Sequence, residues 1–103
     1  MDVTRLRLLV ELDRLGTMAA VAEITGMSTS GVSKHLAVLE REAQVALLVP
    51  EGRRVRLTPA GQRLAQHAVD ILARIETARA ELGGGTDPAG QVRLVSFLTC
   101  SLP

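Results

Sequence analysis

Aromatic residues are nearly missing from this chain, which has no Trp, no Tyr and a single Phe, Phe97. Its core must therefore be aliphatic, built from Leu, Val, Ile, Ala and Met. The same scarcity argues against sites for single-stranded DNA or RNA, which usually stack bases on exposed rings. Cysteine is as scarce. Cys100 alone excludes a disulfide within one chain and any cysteine metal cluster, and a chain without that cross-link fits a reducing cytoplasm. No apolar run approaches the ~20 residues that span a bilayer. The opening Met1-Asp2-Val3-Thr4-Arg5 lacks the basic-then-apolar order of a signal peptide. An excess of positive or negative charge is lacking too. With a net charge of +1, affinity for phosphate would have to come from a few well-placed Lys and Arg side chains.

Catalytic chemistry finds no support either. His35 and His67 lie far apart, with no Cys or acidic partner at metal-ligand spacing. No His stands near Cys100, which reads as a bystander thiol. Gly83-Gly84-Gly85 follows a helix instead of opening one, so it is a poor phosphate cradle. Glu40 and Glu42 read as facing solvent or a helix partner. The expectation is a chain with no catalytic residue, no metal site and no cofactor, and not an enzyme.

What is present is a folded composition, 47% hydrophobic and 22% charged over 103 residues, enough for one small domain and an appendage. A first helix is expected over Val3–Leu15, ended by Gly16, with Leu6, Leu9 and Val10 inward and Leu12 and Leu15 broadening the stripe. Thr17 caps a second helix, Met18 to Thr25, packing through Val21 and Ala22. Gly26 supplies the turn, and Ser28 or Thr29 caps a third helix whose apolar stripe is Val32, Leu36 and Leu39. Thr29, Ser30, Ser33 and Lys34 stand at i, i+1, i+4 and i+5 on its other side, none of them acidic. That is the outline of a helix-turn-helix, whose second helix can lie in the DNA major groove. Ser and Thr can read base edges or phosphates, and Lys34 can reach guanine O6 or N7. Ser28 opens this segment, and His35 borders its face, equally readable as a solvated side chain or a base contact. An ordinary α-helical hairpin could show the same turn.

Past Glu42 the texture changes. Val45-Ala46-Leu47-Leu48-Val49 and Val55-Arg56-Leu57 read as two short strands around the turn Pro50-Glu51-Gly52-Arg53-Arg54, longer than two residues. Taken alone, the three arginines of Gly52-Arg53-Arg54-Val55-Arg56 form a solvated tip as readily as a nucleic-acid contact. Beside a recognition helix they form a wing that can track phosphates or enter the minor groove, with Arg53 and Arg54 nearest the tip. Thr58-Pro59 starts a long helix, uninterrupted to Leu82 and roughly 36 Å long at ~1.5 Å per residue. Along it Leu64, Ala68, Ile71, Ile75, Ala78 and Leu82 recur at alternating spacings of four and three, the seam of a helix that meets a partner helix. A two-fold dimer would then present two recognition helices to an imperfect palindrome. Residues 83–90 read as a hinge, and Gln91 to Phe97 as a lone strand with Val92, Leu94 or Val95, and Phe97 available for burial. A lone strand is not a domain, so the chain is expected to be the front of a longer protein.

In this order of elements the chain resembles the N-terminal region of LysR-type transcriptional regulators. The resemblance rests on Met1-Asp2, Leu6, Gly16-Thr17, Ala22-Glu23, Ser28…Val32-Ser33-Lys34, Leu39-Glu40 and, most specifically, Gly52-Arg53-Arg54-Val55-Arg56-Leu57-Thr58-Pro59-Ala60-Gly61. It implies a mainly α fold: a winged helix-turn-helix, three helices plus a β-hairpin wing, over 1–58, followed by a dimerisation helix over 59–82. It further implies a hinge at 83–90 and the start of an effector-binding domain at 91–103, where Gly90-Gln91-Val92-Arg93-Leu94 looks like that domain's first strand. By the same resemblance the chain binds double-stranded DNA at partly palindromic promoter sites and pairs its long helices antiparallel. The full-length parent would be a tetramer, and a small-molecule co-inducer would act only through the C-terminal domain. The family's base-reading positions fall on Thr29, Ser30, Ser33 and Lys34, and its wing contact on Arg53 or Arg54. The chain departs from the family at Thr29-Ser30, where Gln-Pro is frequent, and at Lys34, where Arg is common, so the base preference does not carry over. It also departs at Met18 and Leu48-Val49-Pro50, at Thr25, a position usually held by Leu, and at Gln44, one usually held by Gly. Two alternatives stay open: an interaction module built on the long helix without specific DNA binding, and a MarR-like winged-helix repressor.

Overall fold

A computed structural model describes residues 1–83. In chain order they form α1 (Val3–Leu15), α2 (Met18–Thr25), α3 (Thr29–Ala43), β1 (Leu48–Glu51), β2 (Arg54–Leu57) and α4 (Pro59–Glu81). The hinge beyond Gly83, the strand expected over 91–97 and Cys100 lie outside the described residues.

The first three helices start on side-chain caps. Asp2 Oδ1 accepts from the Thr4 amide at 2.8 Å, Thr17 Oγ1 from Ala20 at 3.1 Å, and Ser28 Oγ from Gly31 at 3.0 Å. Each cap satisfies an amide that the helix itself leaves without a partner, which stabilises by about 1 kcal/mol. Of the two candidates for α3, the cap is Ser28. Gly16 and Gly26 end α1 and α2 in left-handed backbone, whereas α3 ends on Gln44 at φ 59°.

The core is wholly aliphatic. It gathers Leu6, Leu8, Leu9 and Leu12 of α1, Val21 and Ala22 of α2, and Val32, Leu36 and Leu39 of α3, together with Leu47, Leu57, Ala65 and Ala68. Each fully buried leucine contributes about 1.5–3 kcal/mol. Leu8 joins this set although the expected stripe omitted it, while Val10 and Leu15 are only half-buried. The reason is that α1 meets α2, α3 and β2, so its buried arc is wider than that of a helix covered on one side.

The hairpin differs from expectation in register. β1 runs through Pro50 and Glu51, and the pairs are Leu48 with Leu57, Val49 with Arg56, Pro50 with Val55, and Glu51 with Arg54. Only Gly52 and Arg53 remain in the turn. Gly52 has φ 63° and Arg53 no positive φ, the signs of a type II′ hairpin with glycine at its first central position. In that register Pro50 and Val55 oppose each other without exchanging hydrogen bonds, so the missing N–H of Pro50 costs the ladder nothing. The Val55 amide points outward and donates to the Gly16 carbonyl at 2.9 Å, pinning the wing to the end of α1. Val45–Leu47 is no strand because this segment is held from both sides. The Leu47 amide goes to Glu40, the Ala46 and Leu47 carbonyls to the Thr58 hydroxyl and amide.

Thr58 and Pro59 start α4 as the sequence implies, with Thr58 Oγ1 accepting from Gly61 at 3.0 Å. At Gly61 a side chain would collide with the Leu47 carbonyl, so the approach of α4 to that segment depends on the missing Cβ. Residues Met1–Leu72 form one compact unit. The described residues from Ala73 onward are the rest of α4 and the turn at Gly83. No helix among the described residues is long and apolar enough to cross a membrane.

Candidate nucleic-acid interface

The second helix of the α2–turn–α3 pair buries Val32, Leu36 and Leu39 and leaves Thr29, Ser30, Ser33 and Lys34 exposed. At 3.6 residues per turn, Ser30, Lys34, Ala37 and Arg41 run along the line opposite the buried stripe, with Thr29 and Ser33 beside it. Arg41 extends this line past the expected residues. Its signal in the sequence is its place seven residues, two turns, after Lys34. Ser28 is used locally: its hydroxyl caps the helix and lies 3.4 Å from that of Ser30.

His35 turns the other way. It is half-buried, and its Nδ1 accepts from Arg5 Nε of α1 at 3.3 Å. Arg5 also approaches Glu42 at 3.7 Å, and the N-terminal amine reaches the same carboxylate at 3.9 Å. Helical spacing puts His35 and Glu42 on one flank, toward the start of α1, so His35 serves the α1–α3 junction and leaves the exposed line to Lys34.

The three wing arginines have three surroundings. Arg56 pairs diagonally across the hairpin with Glu51 at 2.9 Å. The Arg54 guanidinium lies against Gly16, where a Cβ would strike it. Arg53, at the tip, has no ion-pair partner among the described residues, and neither does Lys34. Glu40 is a residue whose importance the sequence reading missed. Instead of facing solvent or a helix partner, its Oε2 accepts from the amides of Leu47 at 2.8 Å and Leu48 at 3.1 Å.

Along α4 the six seam positions divide. Within Met1–Leu72, Ala68 is fully buried in the core and Leu64 packs partly against it, while Ile71 is 41% exposed. In the remaining turns Ile75 is half-buried, and Ala78 and Leu82 are exposed. Gly61, Ala65 and Ala68 are the buried residues of this helix, so the expected seam shares Ala68 with the stripe that serves the chain's own core and otherwise runs beside it. Among the described residues no cluster of three His, Cys, Asp or Glu side chains could hold a metal ion.

A helix-turn-helix whose second helix shows a polar, basic face, followed by a two-stranded hairpin with arginines at its tip, defines a winged helix-turn-helix domain. The family model described as "Bacterial regulatory helix-turn-helix protein, lysR family" matches residues 3–62, and the chain belongs to that family. This sets aside the MarR-like alternative. The HTH-type transcriptional regulator GltR of Bacillus subtilis is 31% identical over 99 residues, 96% of this chain and 33% of GltR. The chain thus spans about a third of that relative's length. Full-length CbnR complexed with its target DNA superposes with a TM-score of 0.71 at 28% identity, over 79% of this chain and 29% of that one. The CbnR DNA-binding domain in its DNA complex gives 0.78 at 24% identity, over 84% of this chain and all of that one, a likeness of fold.

Proposed function

We propose that this chain is the sequence-specific double-stranded DNA-binding part of a bacterial transcription regulator, acting in the cytoplasm, without catalytic activity and as a two-fold dimer. The observation that carries this reading is the exposed face of α3, where Thr29, Ser30, Ser33 and Lys34 stand together, none of them acidic. That face enters the major groove, Lys34 and the hydroxyls meet base edges, Arg41 adds charge farther along, and Arg53 grips the backbone from the wing. Arg54, drawn back onto Gly16, supports the wing and adds charge beside Arg53. CbnR, with which the chain shares its fold, is complexed with DNA in both of those structures, which supports the DNA-binding reading. Ser28 and His35 contribute through the cap and the α1 junction. Dimerisation rests on the apolar seam of Leu64, Ala68, Ile71, Ile75, Ala78 and Leu82, of which Ile71 and Leu82 are exposed in the single chain.

The test is binding across a salt series, with duplexes from the promoter next to the gene set against random duplex. The promoter fragment is expected to bind more tightly, with log affinity falling linearly as log salt rises. Equal affinity for both duplexes at every salt concentration removes the specific-regulator reading.

A further inference from the structure

Glu40 lies on α3, yet both hydrogen bonds that its carboxylate accepts come from the base of the wing. The amides of Leu47 and Leu48 donate to one oxygen, Oε2. The Leu48 amide is on the edge of β1 that faces away from β2, so the ladder gives it no partner. Both bonds are part-buried, and amides left without an acceptor in such a place are costly. Leu47 is itself 1% exposed, and its carbonyl takes the Thr58 amide. The wing's other hydrogen bonds to the helices run elsewhere, from the Val55 amide to the Gly16 carbonyl at the end of α1 and from Thr58 at the start of α4 to the Ala46 and Leu47 carbonyls. Glu40 is therefore the bond that registers the hairpin against the helix carrying Lys34.

We propose that Glu40 is a positioning residue: its carboxylate fixes the wing to the recognition helix and thereby sets where Arg53 meets the DNA backbone. The proposal rests on the DNA-binding reading for its effect and on the Glu40 hydrogen bonds for its cause. Glu40→Leu removes the acceptor, whereas Glu40→Gln keeps an oxygen able to take both amides. The two variants remove the same charge, so a difference between them isolates the hydrogen bonds from the loss of a negative group near phosphate.

The experiment measures promoter-duplex affinity against salt for the full chain, for Arg53→Ala, for both Glu40 variants and for the Glu40→Leu, Arg53→Ala double variant. Amide hydrogen exchange is followed in the DNA-free protein. Glu40→Leu is expected to reduce the salt slope by about one, as Arg53→Ala does, with the double variant no lower and Glu40→Gln at the wild-type slope. Without DNA, the Leu47, Leu48 and Val55 amides of Glu40→Leu should lose protection while Leu9 and Leu36 keep theirs. A wild-type slope for Glu40→Leu, equal losses in the two Glu40 variants, or an additive double variant overturns the proposal. Unchanged wing protection overturns it whatever the DNA result, and so does a loss spread evenly over α1, α2 and α3. If the wild-type chain binds no duplex at any salt, the DNA-binding reading falls, and the exchange pattern alone decides whether Glu40 anchors the wing.

Discussion

Lys34 and Arg53 carry positive charge on exposed side chains, with no protein carboxylate paired to either among the described residues. Unpaired cations are free to replace counterions on DNA, so the two residues should be separable by what they read. Lys34→Ala is expected to cost ~1–3 kcal/mol at one base position and little elsewhere, measured on a panel of single-base variants of the bound site. A uniform loss across the panel would show that Lys34 grips phosphate only. Arg53→Ala should weaken every duplex alike and reduce the salt slope by about one. Arg54→Ala should change that slope less, because its guanidinium already rests on Gly16; equal slope changes for the two variants would refute this division. The exposed α3 face was legible in the sequence because helical period alone places Thr29, Ser30, Ser33 and Lys34 together. The surroundings of His35 and Arg54 were not, since they depend on Arg5 and Gly16, thirty and thirty-eight positions earlier in the chain.

Elements bounded by local chemistry followed the sequence closely. Asp2, Thr17 and Ser28 cap helices within reach of their own side chains, and Thr58-Pro59 opens α4 in the same way. The wing did not, because Pro50 and Glu51 look like turn residues when read by composition. What admits them to β1 is the hairpin register, and what keeps Val45–Leu47 out of it are Glu40, seven residues before Leu47, and Thr58, eleven after it. The end of α3 carries a residual cost. Gln44 is the one non-glycine residue with positive φ among the described residues, at 59°, and a side chain in left-handed backbone costs roughly 1–2 kcal/mol. Its amide still closes the helix by donating to the Glu40 carbonyl at 2.9 Å, so the conformation serves the chain reversal and the side chain does not. Gln44→Gly should therefore raise the unfolding free energy by about 1 kcal/mol in chemical denaturation. A variant no more stable than the parent would show that the glutamine side chain offsets its own backbone strain.

At the scale of the whole molecule, a two-fold pair doubles the readout of one recognition helix and one wing and fixes the spacing of the two half-sites. The apolar residues that a partner helix would cover are visible on α4: Ile71 is 41% and Leu82 85% exposed. Ala68 is already buried, and Leu64 packs partly against the core, so the test belongs at a seam residue that the core does not need. Ile71→Glu places a charge at that exposed position, where the single chain can solvate it and a helix–helix seam cannot. Circular dichroism should show the parental helix content, and sedimentation should show the mass of one chain where the parent shows two. Each half of the palindrome would then be bound independently, and loss of the linkage should lower affinity for the full site by about 100-fold or more while a half-site is bound as before. If Ile71→Glu keeps the dimer mass, Ile71 is no part of the pairing surface. If it becomes monomeric yet binds the full site with parental affinity, the two-fold reading of the DNA is wrong even though the seam is right.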